Sequence, residues 1–165
     1  MTISEALLPE FDQEMAHTRK TLERVPAKPD FCPHPKSMSL GKLAPHVAEL
    51  AGFGLRVLTT PLVDFSAGTW KPLEFESGAQ LVKVLDEGAA KVRQALIVTP
   101  DDAWQANWKL LYQGQPLFDG SRFLAYREMF LNHVVHHRAQ LGVYLRLCDV
   151  PVPAIYGPSA DEPWA

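Results

Sequence analysis

Leu131–Leu147, LNHVVHHRAQLGVYLRL, sets His133, His136 and His137 close together inside a segment that otherwise reads as an apolar helix. At 3.6 residues per turn, His133 and His137 fall on the same side as Tyr126, Phe130, Tyr144 and Cys148, which is the apolar stripe. His136 falls at its margin. The pattern predicts a long helix from about Ser121 to Cys148, stopped by the prolines of DVPVP. A stripe of this kind must be covered by other elements.

Working outward, three further amphipathic segments can cover it. Ile3, Leu7, Phe11, Met15, Leu22 and Val25 recur at helical spacing, and Pro26 ends that run. The proline-rich PAKPDFCPHPKS cannot form regular structure and reads as a loop. Ser39 or Ser37 then caps a second helix through Leu43, Val47, Leu50, Gly54 and Leu58, closed by Pro61. Ser77 caps a third, carried by Leu81, Leu85, Val92 and Leu96 and stopped before Pro100, with Gly88 weakening its middle. Between the third and the last helix, DDAWQANWKLLYQGQPLFDG reads as a packed connection or short extended pieces. The expected fold is therefore all-α: a four-helix bundle with irregular connections and an extended C-terminal tail, PVPAIYGPSADEPWA, laid on the surface.

Length and charge narrow the function. With 165 residues, 47% of them hydrophobic, the chain is expected to form one domain, 1–165, with a sizeable core. A formal charge of −3 without a run of Lys or Arg gives no footprint for nucleic acid or an anionic membrane. The beginning, MTISEALLPEFDQEM, lacks the basic and apolar regions of a secretory signal, and no window has membrane-spanning length, so a cytoplasmic location is expected. Cys32 and Cys148 form no CxxC pair; reduced thiols are expected, with Cys148 buried on its helix stripe.

The histidines carry the chemistry. On the second helix, Leu43, Leu50 and Val57 share a side with His46, so a third imidazole also points toward the core or its mouth. A lone inward histidine is ordinarily a hydrogen-bonded core residue. Two at i and i+4 with a third from a neighbouring helix form instead a three-nitrogen face that a divalent ion can bridge while keeping positions open. Spacing leaves open this metal site, a buried polar network and a coincidence of unrelated positions.

NHVVHHRAQLGVYLR followed by VPVPAIYGPSADE closely resembles the C-terminal signature of the DinB-like family of metal-binding four-helix bundles, and PHPKSMSLGKLAPHVAEL resembles the segment bearing that family's first histidine. The resemblance spans nearly the whole chain. It implies a three-histidine divalent-metal site with His46, His133 and His137 as ligands, His136 outside it, and pairing as a homodimer. It also implies thiol-dependent transfer or isomerisation as candidate activities. Two positions depart from the pattern. Ala139 stands where many relatives have Gly and favours the helix. Pro45 precedes His46: it kinks a helix that begins at Ser39, or serves as first helical residue of one that begins near Ala44.

The expected function is that of a metal-dependent enzyme acting on a small molecule, a thiol-dependent S-transferase or a related hydrolase. The expected cofactor is a divalent transition metal, zinc or nickel first, with iron or copper compatible, and a low-molecular-weight thiol is the expected co-substrate. No aspartate or glutamate declares itself as general base. The alternative is a non-catalytic, metal-stabilised dimeric binding protein associated with stress. A solvent-reachable site with a free position favours the enzyme; a closed four-ligand site favours the alternative. His17 and His34 are expected at the solvated surface, Arg138 and Gln140 beside the site or between helices, Trp104, Trp108 and Tyr126 in the core, and the SADE charges facing water.

Overall fold

The first helix, α1 (Ile3–Leu22), opens on a capping box in which Thr2 accepts from the Glu5 N–H and the Glu5 side chain answers the Thr2 N–H. The computed structural model describes residues 1–68 and 71–163. Leu7, Phe11, Met15 and Leu22 bury one face of α1 as their spacing requires. The helix stops at Leu22 rather than continuing to Pro26. The proline ring biases Val25 away from helical backbone, and two short turn bonds, Arg24 N–H to Thr21 O and Val25 N–H to Leu22 O, close the end.

The second helix, α2 (Leu40–Thr59), has Ser39 as N-cap residue, but its hydroxyl caps nothing. Carbonyls of the proline loop do that work: Phe31 O accepts from Leu40 N–H at 2.8 Å and Pro29 O from Gly41 N–H at 2.9 Å. Pro45 therefore lies inside the helix, and the Gly41 carbonyl lacks its usual intrahelical donor. The third helix, α3 (Gly78–Val98), is capped by Ser77 Oγ, which accepts from Gln80 N–H. Its Gly88 lies close against α2, since a Cβ there would meet Ala51 Cβ at 2.9 Å. What reads in the sequence as a weak point is a close helix crossing.

The last helix keeps its expected extent, from the Ser121 cap to Leu147, but is built from α5 (Arg122–Ala125), a π-helical turn (Tyr126–Leu131) and α6 (Asn132–Leu147). Within the turn, Asn132 N–H reaches back to Arg127 O, so one 3.6-residue wheel does not hold through it. Tyr126, Phe130 and Leu131 are buried, whereas His133 and His137 are half-buried at the edge.

The all-α expectation is corrected. The molecule is mostly helical but carries a three-stranded sheet. Its strands are β1 (Leu62–Asp64), parallel to β2 (Asn107–Tyr112), and β3 (Gln115–Ser121), antiparallel to β2. The short helix α4 (Asp101–Gln105) leads into β2. Trp108 and Leu110 alternate inward along β2, and Gln113 and Gly114, both at positive φ, close the hairpin. Two of the strands fill the segment expected to hold short extended pieces. β1 was not foreseen, because three residues are too few for an alternation to register.

α2 packs on α3 and on the last helix, and α1 on both of those. Trp104, Trp108 and Tyr126 are fully buried between the helices and the sheet. The tail is clamped rather than loosely laid. Asp161 pairs with Arg146 at 2.6 Å and accepts from Val152 N–H, and Glu162 pairs with Arg24 and accepts from Ala154 N–H. The Asp161 and Glu162 carboxylates of SADE thus pair with arginines at the surface, Asp161 remaining exposed to water; Trp164 and Ala165 lie outside the described residues. Among the described residues, no helix is long and apolar enough to cross a membrane.

Candidate metal centre

His46 comes from the middle of α2, and His133 and His137 from the first two turns of α6. Their ring nitrogens converge: His133 Nε2 lies 2.8 Å from His137 Nε2 and 3.4 Å from His46 Nε2, and one donor atom from each ring lies within 4.8 Å of the other two. His136, on the outer side of α6, does not join them and is exposed.

The outer nitrogens decide the protonation. His133 Nδ1 lies 3.2 Å from the carbonyl oxygen of Met129, which can only accept, so Nδ1 carries the proton and Nε2 a lone pair. His137 Nδ1 donates in the same way to Gln140 Oε1 at 2.8 Å, while the Gln140 amide N–H reaches His136 Nε2 at 3.1 Å. Burial lowers the pKa of all three rings. His46 is brought down to about 4, first by burial and then by His137 and His133; in His133 and His137 hydrogen bonds to Met129 and Gln140 partly offset the burial. The rings are neutral near pH 7.

Neutral imidazoles that aim lone pairs at one another repel unless a cation lies among them. With zinc–nitrogen bonds of ~2.1 Å, neighbouring ligand nitrogens stand ~3.0–3.4 Å apart, the scale of the observed separations. The residues therefore fit a divalent metal, with His46, His133 and His137 as the group able to hold it. Each of the two Nδ1–H groups is already bonded, which fixes the ring and raises its basicity as a ligand.

His46 and His133 also line a cavity of about 750 Å³ between α2, α3, the last helix and the sheet. Glu49, one turn beyond His46, enters the same cavity. Its carboxyl is half-buried and lies above the usual range because burial disfavours its charge, against the opposing bond from Leu73 N–H. Sequence reasoning missed it, although the HVAE spacing puts it on the His46 side of α2. The Met129 carbonyl was also missed. A backbone acceptor at a π-helical turn leaves no mark in the residue pattern.

The remaining histidines and polar residues divide. His34 is exposed as expected. His17 is not: it is half-buried with its ring edge-on to Tyr156 at 5.4 Å, and its Nδ1 is buried without a partner among the described residues. Burial first, then Arg138, lowers its pKa. Arg138 turns away from the histidines and pairs with buried Glu14 at 2.6 Å, and Tyr156 OH bonds to both. Its role is interhelical. Gln140, by contrast, touches the cluster directly.

No family model matches the sequence, and no curated protein matches it. Solved structures do. A DinB-like protein, YjoA, from Bacillus subtilis aligns over 91% of this chain and 97% of its own with a TM-score of 0.68 and 17% identity. A DinB-like protein from Bacillus cereus aligns over 92% of this chain and 97% of its own with a TM-score of 0.67 and 19% identity. At such identities the likeness speaks for architecture alone, and by that measure this chain has the fold of the DinB-like proteins.

Proposed function

We propose that this protein is a metal-dependent enzyme in which His46, His133 and His137 bind a divalent transition metal and the adjoining cavity receives a small-molecule substrate. One observation carries the reading: the three-nitrogen group stands at a cavity, with two of its members in the cavity wall. Among the described residues the group holds no fourth donor, which leaves positions for an exchangeable ligand. When bound, the ion supplies Lewis acidity and a lowered pKa for a thiol or water. The chain's own contribution is to hold the rings through Met129 and Gln140, to exclude bulk water with the apolar cavity wall, and to keep the Glu49 carboxyl within it as a proton carrier. Zinc or nickel suits the imidazole set best, and a thiol-dependent S-transfer is favoured over hydrolysis on the likeness in sequence to the DinB-like family.

The test is cobalt substitution. Addition of a small thiol to the cobalt protein produces a sulfur-to-metal charge-transfer band, and chelation abolishes activity while lowering the melting temperature little, because the core is apolar and complete without the ion. Loss of the fold on chelation, with no spectral response to several thiols, marks a structural ion and removes the enzyme reading.

A further inference from the structure

The cavity carries a second polar end. His46, Glu49, Phe53 and Arg56 succeed one another at threes and fours along α2, and all of them line the cavity. At 1.5 Å per residue, the helix rises ~15 Å from His46 to Arg56. The wall between the two ends is apolar: Phe53 faces Phe65 with ring centroids 6.1 Å apart, and Leu110, Leu117 and Met129 complete it. Arg56 stands apart from every other arginine of the chain. Each of the others binds a carboxylate or a carbonyl, whereas the exposed Arg56 guanidinium has no hydrogen-bond or ion-pair partner among the described residues.

We infer that the cavity takes an amphiphilic anion whose apolar body lies along Phe53, Phe65 and Leu117, whose anionic group is held by Arg56, and whose reacting end lies at the three histidines. This rests on the metal-centre reading for the identity of the reacting end and on the cavity alone for the rest. The polarity follows from charge. A guanidinium offers five N–H donors in a planar fork suited to carboxylate, sulfonate or phosphate oxygens, and a free one at the cavity rim is a ready receptor. Among the described residues that line the cavity, Arg56 is the one cationic side chain. Aromatic and aliphatic walls select a chain or ring of carbon between the ends.

The probes are octanesulfonate, whose sulfonate coordinates metals weakly, with octanol and octyltrimethylammonium for comparison, titrated calorimetrically at low salt into the protein as purified. Octanesulfonate binds most tightly, and Arg56→Gln weakens it about tenfold while leaving octanol unchanged. Phe53→Ser weakens octanesulfonate and octanol alike. Arg56 is exposed, so the circular dichroism of Arg56→Gln matches the parent. Equal sulfonate binding by parent and Arg56→Gln, stronger binding of the cationic probe, or no binding of any probe overturns the inference. His137→Ala separates the two readings: sulfonate binding that survives in it shows that the anion is not held by metal. A parent that carries no metal yet binds octanesulfonate through Arg56 refutes the metal centre and keeps the anion site.

Discussion

His133 occupies the centre of the cluster, in contact with both other rings through Nε2 and with the Met129 carbonyl through Nδ1. Each imidazole supplies one of three donors, so removing one opens the set. His137→Ala is expected to lose bound metal on purification, and His136→Ala, whose ring lies outside the set, to keep it; elemental analysis of the two decides the ligand assignment. Gln140 acts through His137. Replacing it with Leu frees the ring to rotate and removes the acceptor that fixes its tautomer, which predicts a loss of ~10–100-fold in metal affinity with the stoichiometry unchanged. Competition with a chromophoric chelator measures this, and parental affinity in Gln140→Leu refutes the orienting role. At this scale His46, His133 and His137 were legible because imidazoles on apolar stripes are rare and costly. Glu49 was not, because a glutamate on a helix ordinarily faces water, and its burial comes from elements distant in the chain, α3, the last helix and the sheet, that wall the same cavity.

Elements meet closely where side chains are absent. A Cβ on Gly54 would stand 2.7–2.8 Å from the Phe130 ring, but a Cβ on Gly52, on the same helix, meets nothing within 4 Å. Gly54→Ala is therefore expected to destabilise the protein by ~1–3 kcal/mol through overpacking. Gly52→Ala should stabilise by ~0.5–1 kcal/mol through helix propensity, and denaturant unfolding of the pair gives opposite signs if the helix contact is as described. The tail is a second element-level case. Asp161 lies below the usual carboxylate range because of the Arg146 hydrogen bond and then the Val152 N–H, and Glu162 because of the Ala154 N–H and then Arg24. A lowered folded pKa means that the clamp contributes fully above the unfolded carboxylate value and is lost as pH falls through the folded one. Amide exchange at Val152 and Ala154 should thus stay slow at pH ~4, where free carboxyls are half-protonated, and accelerate only below it. Asp161→Asn should release Val152 at neutral pH, and exchange that already rises at the ordinary carboxylate midpoint contradicts the clamp. The spans of the long helices were legible from periodicity and their terminators, apart from the end of α1, whereas the short α4 and the backbone capping of α2 were not. The π-helical turn was not, since one inserted residue leaves the apolar spacing on either side unchanged in kind; in the fold its Phe130 lies against Gly54 and Phe11.

For the molecule as a whole, the outward face of α6 presents Val143 and Leu147, each more than half exposed, beside a groove of about 450 Å³ under the tail residues Val152 and Ile155. Exposed apolar side chains on a helix face are what a two-fold pairing would cover, so a homodimer is expected. Light scattering at micromolar concentration that returns the single-chain mass of 18.4 kDa removes that proposal. By itself the sequence determined four long helical segments, the burial of their stripes and the identity of three inward histidines, because these follow from local periodicity and from the cost of placing polar rings on apolar faces. Tertiary structure alone decided the rest: that β1 pairs with β2 although α3 lies between them in the chain, that a cavity opens beside His46 and His133, that Glu49 lines it, and that Arg56 has no partner among the described residues. Each of these depends on contacts between residues far apart in the chain, which no local pattern encodes.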